Sequence, residues 1–180
     1  MSKIAILCVD GVEEVECLTV VDFCRRAEID ITMVSMTGKK RIMGSHQICF
    51  DADEVYEDVD FPGMDGIILP GGPGTSALDE HAHVKDLAKQ FFAEGKLVAA
   101  ICAAPSVLAN AGILNGKTAT AYPGFQKEGA ALWTDNTVEC DGNVITGKGP
   151  GAAPYFALSI IEYLKGKDMM EQIHASTMMP

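Results

Sequence analysis

A cysteine at position 102 stands where an apolar segment passes directly into a helical one. The residues around it read LVAAICAAP from Leu97 to Pro105, with small side chains on both sides and no loop between them. A sharp strand-to-helix turn of this kind, a nucleophile elbow, exposes one side chain and accepts only small neighbours. Free N–H groups at the start of the helix favour thiolate over thiol. We therefore expect Cys102 to be a nucleophile, with a buried structural cysteine as the alternative.

Glu16 is a carboxyl group on an otherwise apolar helical stripe. The stripe consists of Val12, Glu16, Val20, Phe23 and Ala27. A carboxyl in such a position must be protonated, paired or functional. Beside a thiolate, desolvation and like charge would raise its pKa, so that it could donate a hydrogen bond and shuttle a proton. The alternative is a partly exposed helix residue, and the preceding Glu13 and Glu14 are explained by the favourable placement of acids at a helix start.

A glycine-rich turn, PGGPG at residues 70–74, follows another apolar segment. Its N–H groups can approach a ligand oxygen closely, and opposite Cys102 the N–H groups of Gly72 and Ala103 could stabilise an oxyanion. No Lys-Ser or Lys-Thr pair follows, which excludes a nucleotide P-loop. An ordinary turn explains the motif equally well. A second turn, GKGPG at residues 147–151, either lines the same site or caps the final helix.

Short apolar runs alternate with amphipathic stretches, and these elements must position the candidate groups. We predict strands at 4–9, 29–36, 66–69 and 97–101, helices at 13–27, 76–95, 103–111 and 152–164, hairpin or edge-strand material up to 50, and a hairpin at 137–146 turning at Asp141-Gly142. Apolar strands joined by helices predict an α/β fold, a three-layer sandwich with a mainly parallel sheet and helices on both faces. Ligand sites in such sheets gather at the carboxyl ends of strands, here near residues 10, 70 and 102.

Composition and charge exclude several classes of protein. The chain has 180 residues, 48% of them hydrophobic, which predicts a single domain over residues 1–180. No apolar run approaches the roughly 20 residues that a membrane span requires. The first apolar run stops at Asp10 and acidic residues follow, so it predicts a strand rather than a signal peptide. The net charge of −11 disfavours binding to nucleic acid.

The six cysteines contain no C-x-x-C pair, and several lie within apolar strand or helix patterns. A disulfide framework is typical of smaller, loop-rich secreted chains, so we expect reduced thiols in a cytoplasmic protein. Zinc is disfavoured, because His81 and His83 are the only closely spaced histidines and no cysteine pair accompanies them. We predict neither a metal nor a cofactor.

Five segments together resemble the ThiJ/PfpI superfamily, specifically its DJ-one branch of the parkinsonism protein and deglycases. They read GVEEVE, VVDFCRRA, ILPGGPG, AAICAAP and GKGPGA, in the family's order and spacing over nearly the whole chain. The resemblance implies a flavodoxin-like sandwich that forms a homodimer. It implies that Cys102 is the oxidisable nucleophile and that Glu16 is the carboxylic acid hydrogen-bonded to it. Gly72 and Ala103 correspond to the backbone donors that face the sulfur.

The resemblance also suggests groups that contact substrate or an anion. Arg26 matches an arginine near an anion site at the dimer interface. Gly71, Tyr122 and Pro150 are further candidates for such contacts.

The chain departs from the family pattern at three places. Tyr122 precedes Pro123 where members active on glyoxals commonly place histidine. A tyrosine has a pKa of about 10 and is therefore a poor base at neutral pH. The segment from Gly44 to His46 stands where an arginine often occurs. Ala103 stands where protease-type members carry histidine, so we expect no peptidase activity.

Two functions follow from the resemblance. As an enzyme, the chain would use Cys102 to attack an α-oxoaldehyde such as methylglyoxal, or its early adduct on a protein amine. Glu16 would relay protons towards a hydroxy acid in this glyoxalase- or deglycase-type chemistry. As an oxidative-stress sensor or redox-dependent chaperone, the chain would respond through oxidation of Cys102 to sulfenate and sulfinate. The two functions are compatible, and neither requires a cofactor.

Overall fold

The computed structural model describes residues 2–180, whose central sheet has seven strands. The strands along the chain are β1 (Lys3–Cys8), β2 (Asp30–Ser35), β3 (Arg41–Met43), β4 (Cys49–Asp51), β5 (Glu54–Val55), β6 (Gly66–Leu69), β7 (Leu97–Ile101), β8 (Thr118–Ala119), β9 (Leu132–Trp133), β10 (Val138–Asp141) and β11 (Val144–Gly147). The central sheet has the order β10-β11-β7-β6-β1-β2-β5, and β3-β4 and β8-β9 form two small separate pairs. Pairings in the central sheet are parallel except the antiparallel edge pair β10-β11.

Helices cover both faces of this sheet. They are α1 (Glu14–Arg26), α2 (Thr75–Glu80), α3 (Val84–Ala93), α4 (Pro105–Asn110), α5 (Ala153–Lys165) and α6 (Lys167–Ser176). Successive strand residues face opposite sides, so Ile4 and Ile6 pack in the core with α1, α5 and α6, whereas Ala5 and Leu7 pack in the core with α2, α3 and α4. The structure confirms the predicted α/β class and the flavodoxin-like arrangement of a mainly parallel sheet between helices.

The middle strands bring the three predicted ligand positions together. Every residue of β6 and of β7 is buried, as expected for parallel strands covered on both faces. Ile68 of β6 pairs with Ile6 of β1, and Leu69 pairs with Ala100 of β7. The carboxyl ends of β1, β6 and β7 therefore lie side by side, and the segments that follow them meet at one edge of the sheet.

The helix predicted at 76–95 is wrong in one respect, because the chain forms two helices there. His81 adopts an extended backbone with φ −64° and ψ 128°, and this ends α2. The His81 ring packs edge-on against the rings of Tyr56 and His83, with centroids 5.7 and 5.8 Å away. A tertiary aromatic contact of this kind leaves no periodic signal in the sequence.

The other predicted elements agree with the structure within one residue at each end, except for the start of one helix, and the prediction lacked β5, β8, β9 and α6. The segment up to residue 50 forms the β3-β4 hairpin, and β10-β11 is the predicted hairpin with Gly142 at φ 65° in its turn. The helix predicted at 103–111 begins only at Pro105. Beyond the predicted last helix, α6 starts after Gly166 and packs on the α5 side of the sheet through Ile173. No helix within residues 2–180 is long and apolar enough to cross a membrane.

Candidate active site

The backbone around Cys102 makes the sharp turn that the sequence predicts. Cys102 follows the last residue of β7 and has φ 64°, a left-handed conformation that costs a non-glycine residue about 1–2 kcal/mol. Two backbone hydrogen bonds hold it in place. Its N–H donates to the Gly147 carbonyl at 2.9 Å, and its carbonyl accepts from the Tyr122 N–H at 2.8 Å. Hydrogen bonds to β11 on one side and to the segment after β8 on the other therefore stabilise the left-handed conformation of Cys102.

Gly71 is the point where Cys102 and Glu16 come together. A Cβ atom on Gly71 would lie 2.6 Å from the Cβ of Cys102 and 2.6 Å from Oε2 of Glu16. Real Cβ atoms are not found so close to other atoms, so only glycine fits between these two side chains. The Gly71 N–H donates to Glu16 Oε2 at 2.9 Å. The first residue of the glycine-rich turn therefore fixes the carboxyl beside the thiol.

Glu16 is fully buried, and this raises the pKa of its carboxyl to about 7. Burial is the largest cause, since water no longer solvates the carboxylate. The hydrogen bond with the Cys102 thiol and the N–H of Gly71 partly offset the rise, and the charge of Glu13 adds to it. The expected upward shift of this pKa is therefore present. Glu16 is poised to exchange a proton near neutral pH.

The N–H groups at the turn lower the pKa of the Cys102 thiol, as predicted, but burial and the neighbouring Glu16 raise it by more. Burial raises the pKa of the Cys102 thiol to about 12, and the charge of Glu16 and its hydrogen bond to the thiol add to the rise. The N–H groups of Ala103 and Gly72 lower it only in part. The buried pair therefore holds its proton on sulfur when Glu16 is ionised.

Backbone donors reach the sulfur from two elements. The N–H groups of Gly72, in the turn after β6, and of Ala103, in the turn after β7, both lower the pKa of the Cys102 thiol, which indicates that they face the sulfur. These are the two donors that the sequence proposes for an oxyanion. Gly72 and Ala103 follow two neighbouring parallel strands, β6 and β7. This explains why residues 31 positions apart in the chain meet here. The arrangement can stabilise negative charge on sulfur or on an oxygen attached next to it.

Tyr122 and Pro150 line one cavity next to the elbow. The cavity has a volume of about 330 Å³ and is also lined by Pro123, Lys148 and Gly149. The backbone N–H of Tyr122 donates a hydrogen bond to the Cys102 carbonyl. The cavity therefore adjoins the turn that carries the thiol. The GKGPG turn thus lines a cavity beside the site, and its Pro150–Ala152 segment forms the 3-10 turn that leads into α5.

Arg26 does not join the Cys102 cluster. Its Nε donates to Asp22 Oδ2 at 2.7 Å, one turn earlier on α1, and both side chains are half exposed. Within residues 2–180, no contact connects this guanidinium to the thiol or to Glu16.

Sequence reasoning missed the roles of Glu13 and Glu14, which are buried rather than solvated. Glu13 caps α1, because its Oε2 accepts the Glu16 N–H at 2.9 Å. Glu14 holds the loop between β3 and β4 by accepting from the His46 N–H at 2.7 Å and the Ser45 hydroxyl at 3.1 Å. Burial opposes ionisation of Glu14, but these hydrogen bonds and that of its own N–H lower its pKa to about 2. The run E-E-x-E was the visible signal, and only packing distinguishes its three members.

The fold and this site define a class of protein: a flavodoxin-like α/β chain with a cysteine elbow and a buried carboxyl beside the thiol. The model of the DJ-1/PfpI family matches residues 2–163. Protein dj-1beta of Drosophila melanogaster is 38% identical over 178 residues, which cover 96% of this chain and 95% of that protein. Its crystal structure superposes with a TM-score of 0.93 at 36% identity, covering 100% of both chains.

The chain therefore belongs to the DJ-1/PfpI family. A more distant relative, a deglycase of Pyrococcus abyssi, is 29% identical over 166 residues, covering 91% of this chain and 99% of that protein. The resemblance expected from the five sequence segments is confirmed.

Proposed function

We propose that the protein converts α-oxoaldehydes, or their early adducts on protein amines, into hydroxy acids without a cofactor. The observation that carries this proposal is the buried contact between the Cys102 thiol and the Glu16 carboxyl, whose pKa lies at about 7. A general base works best when its pKa is near the operating pH. Membership of a family that includes a deglycase supports the same chemistry.

In the first step, Glu16 takes the thiol proton while the sulfur of Cys102 attacks the aldehyde carbon. A carbon–sulfur bond forms, the carbonyl π bond breaks, and the oxygen becomes anionic beside the N–H groups of Gly72 and Ala103. The proton on Glu16 then moves to this oxygen and leaves a hemithioacetal. An adduct on an amine enters the same intermediate when sulfur displaces the amine, which leaves with the proton from Glu16.

The second step moves a proton between the two former carbonyl carbons. Glu16 removes the hydrogen from the carbon bonded to sulfur, which forms an enediol, and a proton is then delivered to the neighbouring carbon. The product is a thioester of a hydroxy acid, which water cleaves to restore the thiol. One carbon is oxidised and its neighbour is reduced by the same electron pair, so the reaction needs no external oxidant or reductant.

The cavity lined by Tyr122 and Pro150 is the proposed place for the remainder of the substrate. It adjoins the elbow, and its volume of about 330 Å³ accommodates more than a small aldehyde. In this proposal Tyr122 donates a hydrogen bond rather than acting as a base. Gly71 contributes through the N–H that orients Glu16.

Oxidative sensing through Cys102 is the second candidate, and the same N–H groups could hold oxygens on the sulfur. The raised pKa of the Cys102 thiol favours the enzymatic proposal, because reactivity towards peroxide follows the thiolate fraction. In the enzymatic route, by contrast, Glu16 removes the proton only as the bond to carbon forms. We also propose a cytoplasmic location, because the six cysteines lack the spacing of a disulfide framework.

The proposal is tested by following lactate formed from methylglyoxal in an amine-free buffer. We expect Cys102→Ala to reduce the rate to that of the buffer alone, and Tyr122→His to leave the rate measurable. Cys140→Ala is the matched control, because Cys140 is exposed on β10 and lies outside the site. Equal rates for wild type and Cys102→Ala would remove the basis of the proposal.

A further inference from the structure

A second cavity lies beside the Cys102 turn and differs in its chemistry from the one lined by Tyr122. It has a volume of about 200 Å³ and is lined in part by Gly72, whose N–H faces the sulfur. Phe125 lines it as well, and the Phe125 ring packs edge-on against the ring of Tyr122, with centroids 6.5 Å apart. The two cavities therefore adjoin the same turn, and this aromatic pair lies at their boundary.

Hydroxyl and carboxyl groups give the second cavity its polar character. Four of its seven lining residues carry a side-chain oxygen, namely Thr75, Ser76, Asp79 and Ser106. In the cavity lined by Tyr122, by contrast, five of the eight lining residues are glycine, proline or alanine. The second cavity is thus suited to a ligand with hydroxyl groups, which both donate and accept hydrogen bonds.

The Thr75 hydroxyl is the strongest indication that this cavity holds a ligand. Thr75 is 6% exposed, and its Oγ1 is buried without a hydrogen-bond partner among residues 2–180. Buried hydroxyls normally have a partner, and leaving one unpaired costs about 1–3 kcal/mol. Since Thr75 lines the cavity, a hydroxyl group of a bound ligand can complete this hydrogen bond.

Two further side chains are held in place for the same ligand. The Oδ1 of Asp79 accepts from Lys85 Nζ at 3.3 Å and from Asn110 Nδ2 at 3.1 Å. These bonds fix the carboxylate, and its Oδ2 accepts no hydrogen bond from residues 2–180. Ser106 Oγ donates to the Ala103 carbonyl at 2.6 Å, so its lone pairs can accept from a ligand hydroxyl. Because the Ala103 N–H faces the sulfur, a ligand bound to Ser106 lies close to the reacting thiol.

We propose that Thr75, Asp79 and Ser106 bind the hydroxylated carbon chain of sugar-derived α-oxoaldehydes. This inference rests on the proposed function and names its substrate class. The aldehyde carbon meets Cys102, and the carbons beyond the second carbonyl extend past Gly72 into the polar cavity. In an adduct, the amine carrier extends instead into the cavity lined by Tyr122. Methylglyoxal has no hydroxyl groups for the polar cavity, and a site built to bind a substrate hydroxyl discriminates against an analogue that lacks it.

The test measures binding without turnover, by calorimetric titration of Cys102→Ala with two hydroxy acids. One is 3-deoxygluconate, the product expected from 3-deoxyglucosone, and the other is 2-hydroxyhexanoate, which has the same carbon chain without the further hydroxyl groups. We expect 3-deoxygluconate to bind at least about tenfold more tightly, because it forms several hydrogen bonds that the other acid cannot form. Adding Thr75→Val should lower this preference at least about threefold, since one neutral hydrogen bond is lost. Equal affinities of the two acids would overturn the proposal.

Thr32→Val is the matched control, because Thr32 is half-buried on β2 and lines a different cavity. It should keep the preference for 3-deoxygluconate. Without ligand, Thr75→Val should unfold at a urea concentration no lower than wild type, because it removes an unpaired buried hydroxyl. A preference unchanged by Thr75→Val, a preference lost in Thr32→Val, or a destabilised Thr75→Val would each overturn the assignment.

Lactate formation from methylglyoxal reports the proposed function separately from this binding. Preferential binding of 3-deoxygluconate without any lactate formation would support the polar cavity and remove the proposed chemistry. Lactate formation together with equal affinities would remove the cavity as a substrate site and leave the proposed function standing.

Discussion

At the residue scale, the proposed chemistry depends on one pair of side chains, Cys102 and Glu16. Cys102 and Glu16 are held so close to Gly71 that a single Cβ there would clash with both. Because the two groups are buried together, the pair does not carry two negative charges at neutral pH. In the proposed mechanism the carboxyl is therefore the proton acceptor for the thiol.

The raised pKa of Glu16 predicts how stability depends on pH. The pKa is about 7 in the folded protein against an ordinary value of 4.5 for a glutamate, so the folded state binds this proton more tightly than the unfolded state. The stabilisation is complete below about pH 4.5 and is lost as the pH rises through 7, a change of about 3 kcal/mol. We expect Glu16→Gln, which does not titrate, to gain about this amount relative to wild type between pH 4 and pH 8.

The measurement is urea unfolding of both proteins at several pH values in a buffer with a chelator. Asp22→Asn, an exposed carboxyl on the same helix, is the control and should follow the wild-type curve. A difference between Glu16→Gln and wild type that stays constant with pH would contradict the assignment.

At the element scale, the site depends on three parallel strands ending at the same level. The turn after β6 supplies Gly71 and Gly72, the turn after β7 supplies Cys102 and Ala103, and α1, which follows β1, supplies Glu16. The motifs on each element could be read from the sequence. Their mutual distances could not, because strand order and register are set by packing across the whole sheet.

Gly71→Ala tests this dependence on close approach. The new Cβ would lie 2.6 Å from both Cys102 Cβ and Glu16 Oε2, and 2.9 Å from the Ile101 carbonyl, so the two elements must separate. We expect a loss of about 1–3 kcal/mol in unfolding free energy, typical of overpacking, and at least tenfold lower activity. Gly151→Ala is the stability control, because its Cβ meets no atom within 4 Å. Equal stability of the two variants would contradict the clash.

At the scale of the whole molecule, one exposed apolar patch supports the proposed homodimer. The patch consists of Val15 on α1, Met43 on β3 and Ile48 on the following loop, which are 51%, 52% and 56% exposed. Contacts of the Glu14 carboxyl with the N–H groups of His46 and Ile48 join the two elements. Large exposed apolar patches on otherwise charged surfaces mark interaction sites.

Light scattering after gel filtration tests the dimer. We expect wild type to have twice the mass of the 19.2 kDa chain, and the double variant Val15→Asp, Ile48→Asp to have the mass of one chain. Leu132→Asp is the matched control, because Leu132 is 64% exposed on β9 and lies outside the patch. A monomeric wild type, or a dimeric double variant, would show that this patch is not the interface.

The sequence by itself determined the fold class and the family, and it located Cys102 as the candidate nucleophile. Alternation of apolar strands with helices is a local periodic signal, and the small residues around Cys102 report a steric requirement of a single turn. The tertiary structure decided the rest: the break at His81, the helix α6, the burial of Glu13 and Glu14, and the protonation of Cys102. The break at His81 and the docking of α6 depend on tertiary packing, whereas the state of the acids and of the thiol depends on the water and charges around them. Both are set by residues distant in the chain. For that reason the thiol could be located from the sequence, whereas its charge could not.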